Sequence, residues 1–187
     1  MAINDGNNNV SIGDSTGDAL TTGNANTAIG YNALSQETKG DRSVAVGMNA
    51  LTTQNNTTNA DVYNVGLGYE AGKLITTGDR NTLIGGLVGD SLTTGQYNIA
   101  IGYQALQAED TGNRALAIGY QALYSQNNDT DTYNTAIGFQ AGYAVTTGVQ
   151  NTILGAFAGD ALTTGSNNVA IGNNALSSED RDWETRA

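Results

Sequence analysis

One short motif recurs along this chain at nearly constant spacing. In it an aliphatic residue precedes a glycine, as in NTAIGYNAL from Asn26 to Leu34 and NIAIGYQAL from Asn98 to Leu106. Ten such glycines occur, and seven of the nine intervals between them have the same length of seventeen positions, as from Gly13 to Gly30. Chance does not produce this regularity, so the chain is a tandem array of ten units. The anchor glycines are Gly13, Gly30, Gly47, Gly68, Gly85, Gly102, Gly119, Gly138, Gly155 and Gly172.

Each unit has the pattern of a short strand followed by turns. Counted from the anchor glycine, position −1 is always aliphatic, position −3 is Val, Thr, Ile or Leu, and a small residue, mostly Ala, lies between them. This alternation with β-branched residues is typical of a strand. Ala recurs at +3, an apolar residue follows at +4 or +7, and a second glycine often closes the unit at +10. We expect two short strands and two glycine turns per unit, with ladders of aliphatic residues inside.

Seventeen residues cannot bury two apolar faces alone, but stacked units can share a core. The repeat therefore predicts an all-β parallel β-solenoid or β-roll of about ten 17-residue coils over residues 1–178. At about 4.8 Å per coil, ten coils make a rod close to 48 Å long. Asn at position −4 in eight units can form hydrogen bonds from coil to coil. Residues 179–187, with the only tryptophan, Trp183, leave the pattern and form a cap, a tail or the junction to a further domain.

A longer period of four units lies above the first. The units that contain Gly13, Gly85 and Gly155 are similar in sequence and lie four units apart. The third and seventh units carry polar insertions. The insertions span Gln54 to Tyr63 and Gln126 to Tyr133, and they are predicted on one side of the rod. They are either tolerated insertions or functional loops, which often break a regular scaffold. If they bind a receptor, the candidate contact residues are Asn55, Asn56, Asp61, Tyr63, Asn127, Asn128, Asp129, Asp131 and Tyr133.

Aromatic residues recur at position +1, directly after the anchor glycine. Such a stripe fits two interpretations, a platform for stacking of sugars or packing between coils at the seam of a trimer. The residues are Tyr31, Tyr69, Tyr103, Tyr120 and Phe139.

Composition argues against catalysis. The chain has no Cys and no His, which removes disulfides, thiolate nucleophiles and the commonest general base and metal ligand. Asp18, Asp90 and Asp160 recur only every fourth unit, too far apart to share a metal ion. The insertion after Gln126 lacks the glycine and the closing glutamate of a calcium loop. We expect no enzyme activity, no metal and no cofactor.

Charge limits the partners. With 18 acidic and 7 basic residues, the formal net charge is −11, which disfavours phosphate backbones and anionic membranes. The sequence also has neither a basic, apolar leader at its start nor a run of about 18 apolar residues. We expect no nucleic-acid binding and no membrane insertion.

The unit NTAIGYNALSQETKGDR resembles the repeats of bacteriophage tail-fibre and related virion-fibre proteins. The stretch RSVAVGMNAL, from Arg42 to Leu51, is similar to the head repeats of trimeric autotransporter adhesins. The resemblance covers about residues 7–178. It implies a parallel β-roll assembled as a homotrimer, with small residues at the seam and polar loops outward. It also implies attachment to a glycan or protein receptor on a host-cell surface.

The length of the repeat separates the two resemblances. Adhesin head repeats are shorter than the repeat found here, which favours a virion fibre over an adhesin head on the bacterial cell surface. A structural filament or decoration protein without a binding role is a further alternative. An ice-binding solenoid is another, but its threonines recur in only five units, so they make no continuous flat face. These threonines are Thr22, Thr77, Thr94, Thr147 and Thr164.

Overall fold

A computed structural model describes residues 8–177 as a stack of ten coils, each with one three-residue strand. The strands form a single parallel sheet in chain order, and equivalent residues pair in neighbouring coils, as Thr27 does with Val44. The predicted all-β solenoid of ten coils is confirmed. The predicted terminal segment 179–187, with Trp183, lies outside the described residues. The strands are β1 (Val10–Ile12), β2 (Thr27–Ile29), β3 (Val44–Val46), β4 (Val65–Leu67), β5 (Thr82–Ile84), β6 (Ile99–Ile101), β7 (Leu116–Ile118), β8 (Thr135–Ile137), β9 (Thr152–Leu154) and β10 (Val169–Ile171).

The second strand expected in each unit does not form within residues 8–177. At position +4 the backbone is left-handed, with φ of 52° at Leu34 and 54° at Leu106, and Gly72 has the same conformation with φ of 57°. A left-handed residue cannot continue an extended strand. Coils are joined here by isolated backbone hydrogen bonds, such as the one from the Leu34 N–H to the Ala50 carbonyl at 3.0 Å.

The side chains of each strand face the opposite way from the expectation, which placed the aliphatic residues at −3 and −1 inside. From β2 onward the middle residue, at −2, is buried, whereas the flanking residues at −3 and −1 face outward. Ala28 is fully buried, for example, while Ile12 and Ile99 are 59% and 41% exposed. The expectation that these aliphatic residues lie inside was wrong, because the thin interior is already filled from positions +3, +4 and +7. Alternation then leaves room only for the middle residue of each strand.

The core is one continuous cluster that runs along the stack. Alanine at +3 contributes to it in most coils. The second contribution comes from leucine at +4 or, where +4 is glycine, from an aliphatic residue at +7, as predicted. The first set is buried at Leu34, Leu51, Leu106 and Leu123, and the second at Leu20, Ile75, Leu92 and Val145. Among residues 8–177 there is no helix long and apolar enough to cross a membrane.

The anchor glycines allow neighbouring coils to approach closely. Gly68 has φ of 138°, which L side chains rarely adopt, and a Cβ added to it would overlap the carbonyl oxygen of Gly85 in the next coil. At position +10, a Cβ on Gly78 would overlap the carbonyl oxygen of Gly95. Glycine is therefore needed at the anchor for both conformation and space, and at +10 for space.

Candidate interaction surfaces

A buried asparagine column at position −4 ties the coils together. The Asn81 Nδ2 donates to the carbonyl of Gly95 at 2.9 Å in the same coil, and its Oδ1 accepts from the Asn98 N–H at 3.0 Å in the next coil. Asn98 repeats this pattern with Gly112 and Ala115. The predicted hydrogen bonding from coil to coil is confirmed. Because both ends of each buried amide are engaged, this column is structural.

Within residues 8–177 the interior at +7 is polar in four coils, which sequence analysis missed. Glu37 and Gln54 occupy it in coils 2 and 3, and Glu109 and Gln126 in coils 6 and 7, all with 0% exposure. The Gln54 Nε2 donates to the Glu37 Oε2 at 2.8 Å, and Gln126 donates to Glu109 in the same way at 2.9 Å. Two glutamate–glutamine pairs are thus buried at a position that is apolar in the other coils where it is described.

The glutamines replace missing members of the asparagine column. Coils 3 and 7 have Ser43 and Ala115 at −4, where the other coils have asparagine. In coil 3 the Gln54 Oε1 accepts from the Asn64 Nδ2 of the next coil at 2.9 Å. The two breaks in the asparagine pattern were the signal in the sequence that could have located the polar interior.

The buried carboxylates hold the start of each insertion. The Glu37 Oε1 accepts from the N–H groups of Gly40 and Asn56 at 2.8 and 3.0 Å. Glu109 accepts from the N–H groups of Gly112 and Asn128 at 2.8 and 3.2 Å. Burial raises the pKa of the Glu109 carboxyl, against the opposing effect of hydrogen bonds that include those from Gln126 and Asn128.

Several of the residues predicted to contact a receptor also form internal hydrogen bonds. Asn55 accepts a hydrogen bond from the Thr38 hydroxyl at 3.0 Å, and Asp129 accepts one from the Thr111 hydroxyl at 3.0 Å. The Asn127 N–H donates to the Thr146 carbonyl at 3.0 Å. Contact of these loops with a receptor stays a prediction.

The last residue of each insertion belongs to a surface column at position −5 that sequence analysis did not single out. We call it the Arg/Tyr column, because arginine and tyrosine alternate in coils 3 to 8. The tyrosines are 44–52% exposed and the arginine side chains 41–48%. All six residues have a left-handed backbone, with φ between 50° and 61°. The column consists of Arg42, Tyr63, Arg80, Tyr97, Arg114 and Tyr133.

Guanidinium groups and rings are stacked along this column. The Cζ atoms of Arg80 and Arg114 lie 5.5 and 5.3 Å from the ring centroid of Tyr97, within the range of a cation–π contact. Arg114 also lies 5.7 Å from the centroid of Tyr133, as Arg42 does from that of Tyr63.

A carboxylate accompanies each arginine. Asp61 pairs with Arg42, Asp79 with Arg80, and Asp131 with Arg114. The Tyr63 hydroxyl donates to the Asp61 Oδ2 at 3.1 Å and the Tyr133 hydroxyl to the Asp131 Oδ2 at 3.3 Å. At Asp131 desolvation opposes, but hydrogen bonds from groups that include Arg114 outweigh it and lower the pKa of the carboxyl. The structure thus brings four predicted loop residues, Asp61, Tyr63, Asp131 and Tyr133, next to arginines.

The aromatic residues at +1 form a second exposed column. The ring centroids of Tyr103 and Tyr120 are 5.8 Å apart and those of Tyr120 and Phe139 are 4.9 Å apart, both in stacked geometry. These rings are 41–46% exposed. Within residues 8–177 no group of three or more acidic side chains could hold a metal ion.

Comparison with known proteins supports one of the two resemblances. The YadA head domain repeat matches twice, at residues 22–50 and 39–58, which include β2 and β3. Over this segment the chain is similar to the heads of trimeric autotransporter adhesins. A specific similarity to phage tail fibres is not confirmed. No curated protein and no solved structure matches the chain.

Proposed function

We propose that this chain is the rod of a homotrimeric attachment fibre, which acts by binding a host-cell surface and not by catalysis. The observation that carries the proposal is the sheet face, the outward residues at −3 and −1 of β1 to β10. Exposed aliphatic residues lie at both ends and in the middle of this face, including Ile12, Leu67, Leu154 and Ile171 at 42–63%. A monomer would leave this whole apolar surface in water.

The size of the sheet face supports a partner. Ten strands of three residues cover about 48 Å by 10 Å, or about 500 Å². With threonine at four of the twenty outward positions, the face is within the range of the largest apolar patches on monomeric proteins, which are often functional. The exposed aromatic column at +1 lies two positions after the last residue of each strand in the chain. A second and third copy of this chain would cover the sheet face by closed symmetry, the arrangement implied by the resemblance to trimeric adhesin heads.

Two features bear on whether the fibre belongs to a virion or to a bacterial surface, and they favour different answers. The matched YadA head domain repeat favours a bacterial surface adhesin. The length of the repeat, greater than that of adhesin heads, favours a virion fibre. The genes that flank the coding sequence separate the two, since a virion fibre lies among tail genes.

The test is the mass in solution. Sedimentation equilibrium is expected to give three times the chain mass of 19.2 kDa. Ile99→Glu, which places a charge on the sheet face, is expected to give the monomer mass instead. Thr94→Glu, on an exposed turn outside this face, is the matched control and should leave the trimer intact. A wild-type monomer at the concentrations used would overturn the proposed assembly.

The two remaining functions are outcomes of further measurements on the same protein. A trimer that binds no cell surface would favour a structural filament. Thermal hysteresis would favour ice binding, although the Thr22 hydroxyl already donates to Asn59 at 2.8 Å.

A further inference from the structure

We infer that the Arg/Tyr column is a binding strip for a neutral, extended oligosaccharide, an inference that rests on the proposed attachment function. The first argument is the placement of the arginines. The chain has five, and the three within the described residues all lie in this column, in alternate coils. They are held there on left-handed backbone, where glycine or asparagine would be less strained. All ten coils have a left-handed residue at −5, from Asn8 to Asn167, so the coil sets this conformation and the sequence sets which side chain stands there.

The stacked geometry determines which atoms a ligand can meet. Tyr97 has a guanidinium over each side of its ring, at 5.5 and 5.3 Å, and Arg114 lies between two rings. Each ring of the column therefore has a guanidinium against at least one face, and the side chains of the column stay 41–52% exposed to solvent. A ligand that approaches from solvent meets guanidinium N–H donors, carboxylate acceptors and phenol groups that do both. Sugar hydroxyls, which donate and accept from adjacent atoms, match this alternation of donors and acceptors.

Charge selects a neutral ligand over an anionic one. Each of the three arginines is paired with an aspartate, so the strip has no excess of positive charge. The protein as a whole carries −11. A polyanion would be repelled by this field. An apolar ligand would find both faces of the Tyr97 ring already covered by guanidinium groups.

The dimensions select an extended ligand. From Arg42 to Tyr133 the column spans five coil steps, about 24 Å at the usual strand separation. Arginines recur every second coil, so the strip repeats about every 10 Å. A linear chain of several pyranose rings can lie along it and form the same contacts more than once. Repeated weak contacts on one ligand add up to useful affinity.

The experiment measures binding of the 187-residue chain to immobilised neutral hexasaccharides, namely β-1,4-linked glucose, N-acetylglucosamine and mannose, with a heparin hexasaccharide as the anionic probe. At least one neutral probe is expected to bind, with little dependence on salt. Arg80→Gln and Tyr97→Gln are each expected to weaken this binding about tenfold, because each removes a hydrogen-bonding edge. Both substitutions copy Gln150, which stands at −5 in coil 9 with φ of 60°, so the fold is expected to accept them.

Tyr143→Gln is the matched control. Tyr143 also stacks on another ring, that of Tyr124 at 5.0 Å, but lies outside the column. It is expected to leave the affinity unchanged. The inference is overturned if no neutral hexasaccharide binds, if heparin binds more tightly, or if Tyr143→Gln weakens binding as much as Tyr97→Gln. The mass measurement involves no sugar, so a trimer that binds no neutral probe overturns this inference and leaves the proposed assembly standing.

Discussion

The pair of coils 2 and 3 and the pair of coils 4 and 5 have the same strand pairing. Different side chains fill their interiors. Coil 2 has Leu34 at +4 and the buried carboxylate of Glu37 at +7, whereas coil 5 has Gly89 at +4 and Leu92 at +7. Parallel pairing nevertheless continues through both pairs of coils in the same register. The outline of the rod is thus set by its glycine turns and axial hydrogen bonds. The interior accepts a carboxylate only where the neighbouring coil supplies partners for it.

The polar pair, coils 2 and 3, also has a structural role that the apolar pair, coils 4 and 5, does not have. Each glutamate lies one coil before an insertion and accepts hydrogen bonds from its first residues, as Glu37 does from Asn56 at 3.0 and 2.9 Å. An aliphatic residue at the same place could not hold a loop in this way. The coils with apolar interiors support the stack, and those with polar interiors also fix the loops on its surface.

The largest expected effect comes from moving the carboxylate into an apolar coil. Leu92→Glu places a charge at +7 in coil 5, where no glutamine stands in the next coil to pair with it. We expect a loss of about 4 kcal/mol in the free energy of unfolding, measured by urea denaturation. Leu92→Met, of similar volume, is the control and should cost less than about 1.5 kcal/mol. Equal losses for both would mean that the glutamates of coils 2 and 6 do not need their glutamine partners in coils 3 and 7.

An intermediate effect is expected from neutralising the carboxylate in place. Glu109→Gln offers an amide nitrogen where Gln126 needs an acceptor, so about 1–3 kcal/mol should be lost at neutral pH. Burial raises the pKa of Glu109 above its ordinary value of 4.5, so the folded state binds this proton more tightly than the unfolded chain. Wild-type stability should therefore rise relative to the variant as pH falls through the raised pKa towards 4.5.

The control for this pH dependence is Glu70→Gln. At Glu70 desolvation raises the pKa, but hydrogen bonds from Tyr69, Lys73 and Asn49 outweigh it, and the net shift is downward. Its contribution to stability should be lost as pH falls, which is the opposite sign. Denaturation of both variants across the acid range checks the prediction. Slopes of the same sign would contradict it.

The smallest effect is expected at the break in the asparagine column. Ser43→Ala removes only the hydrogen bond that the hydroxyl accepts from the Gln54 Nε2 at 3.0 Å, and Gln54 keeps Glu37 as a partner. Ala115 already stands at this position in coil 7. We expect a loss below about 1 kcal/mol in urea denaturation. Asn26→Ala, which removes bonds to Gly40 and Ser43, should cost more, and a reversed order would show that the glutamine does not replace the asparagine.

The repeat predicted the fold because its signals are local and occur many times. The anchor glycines and the alternation at −3 and −1 located every strand, and the asparagine pattern located the axial hydrogen bonds. Which side chains of each strand face inward was not predictable, because alternation alone does not say which set of residues is buried. Leu83 at −2 is buried and Ile99 at −3 is exposed, although both are large and apolar.

The candidate surfaces were only partly accessible from the sequence. The insertions were visible as departures from the repeat, and they led to Tyr63 and Tyr133. Arg80 and Tyr97 lie in coils of regular length, and nothing in their local sequence links them to the insertions. Their relation depends on the stacking of equivalent positions, so it becomes visible only when the units are aligned as coils. The pairing of Glu37 with Gln54 was hidden in the same way.

The constant step between coils has a mechanical consequence. Each described strand pairs only with those of the adjacent coils, one repeat away along the chain. A pull on one end of a chain therefore loads its terminal coil first, and the coils can detach one after another. Each detached coil of seventeen residues releases roughly 55 Å of slack. Under shear such a rod would yield coil by coil, with longer steps only at the two coils that carry insertions.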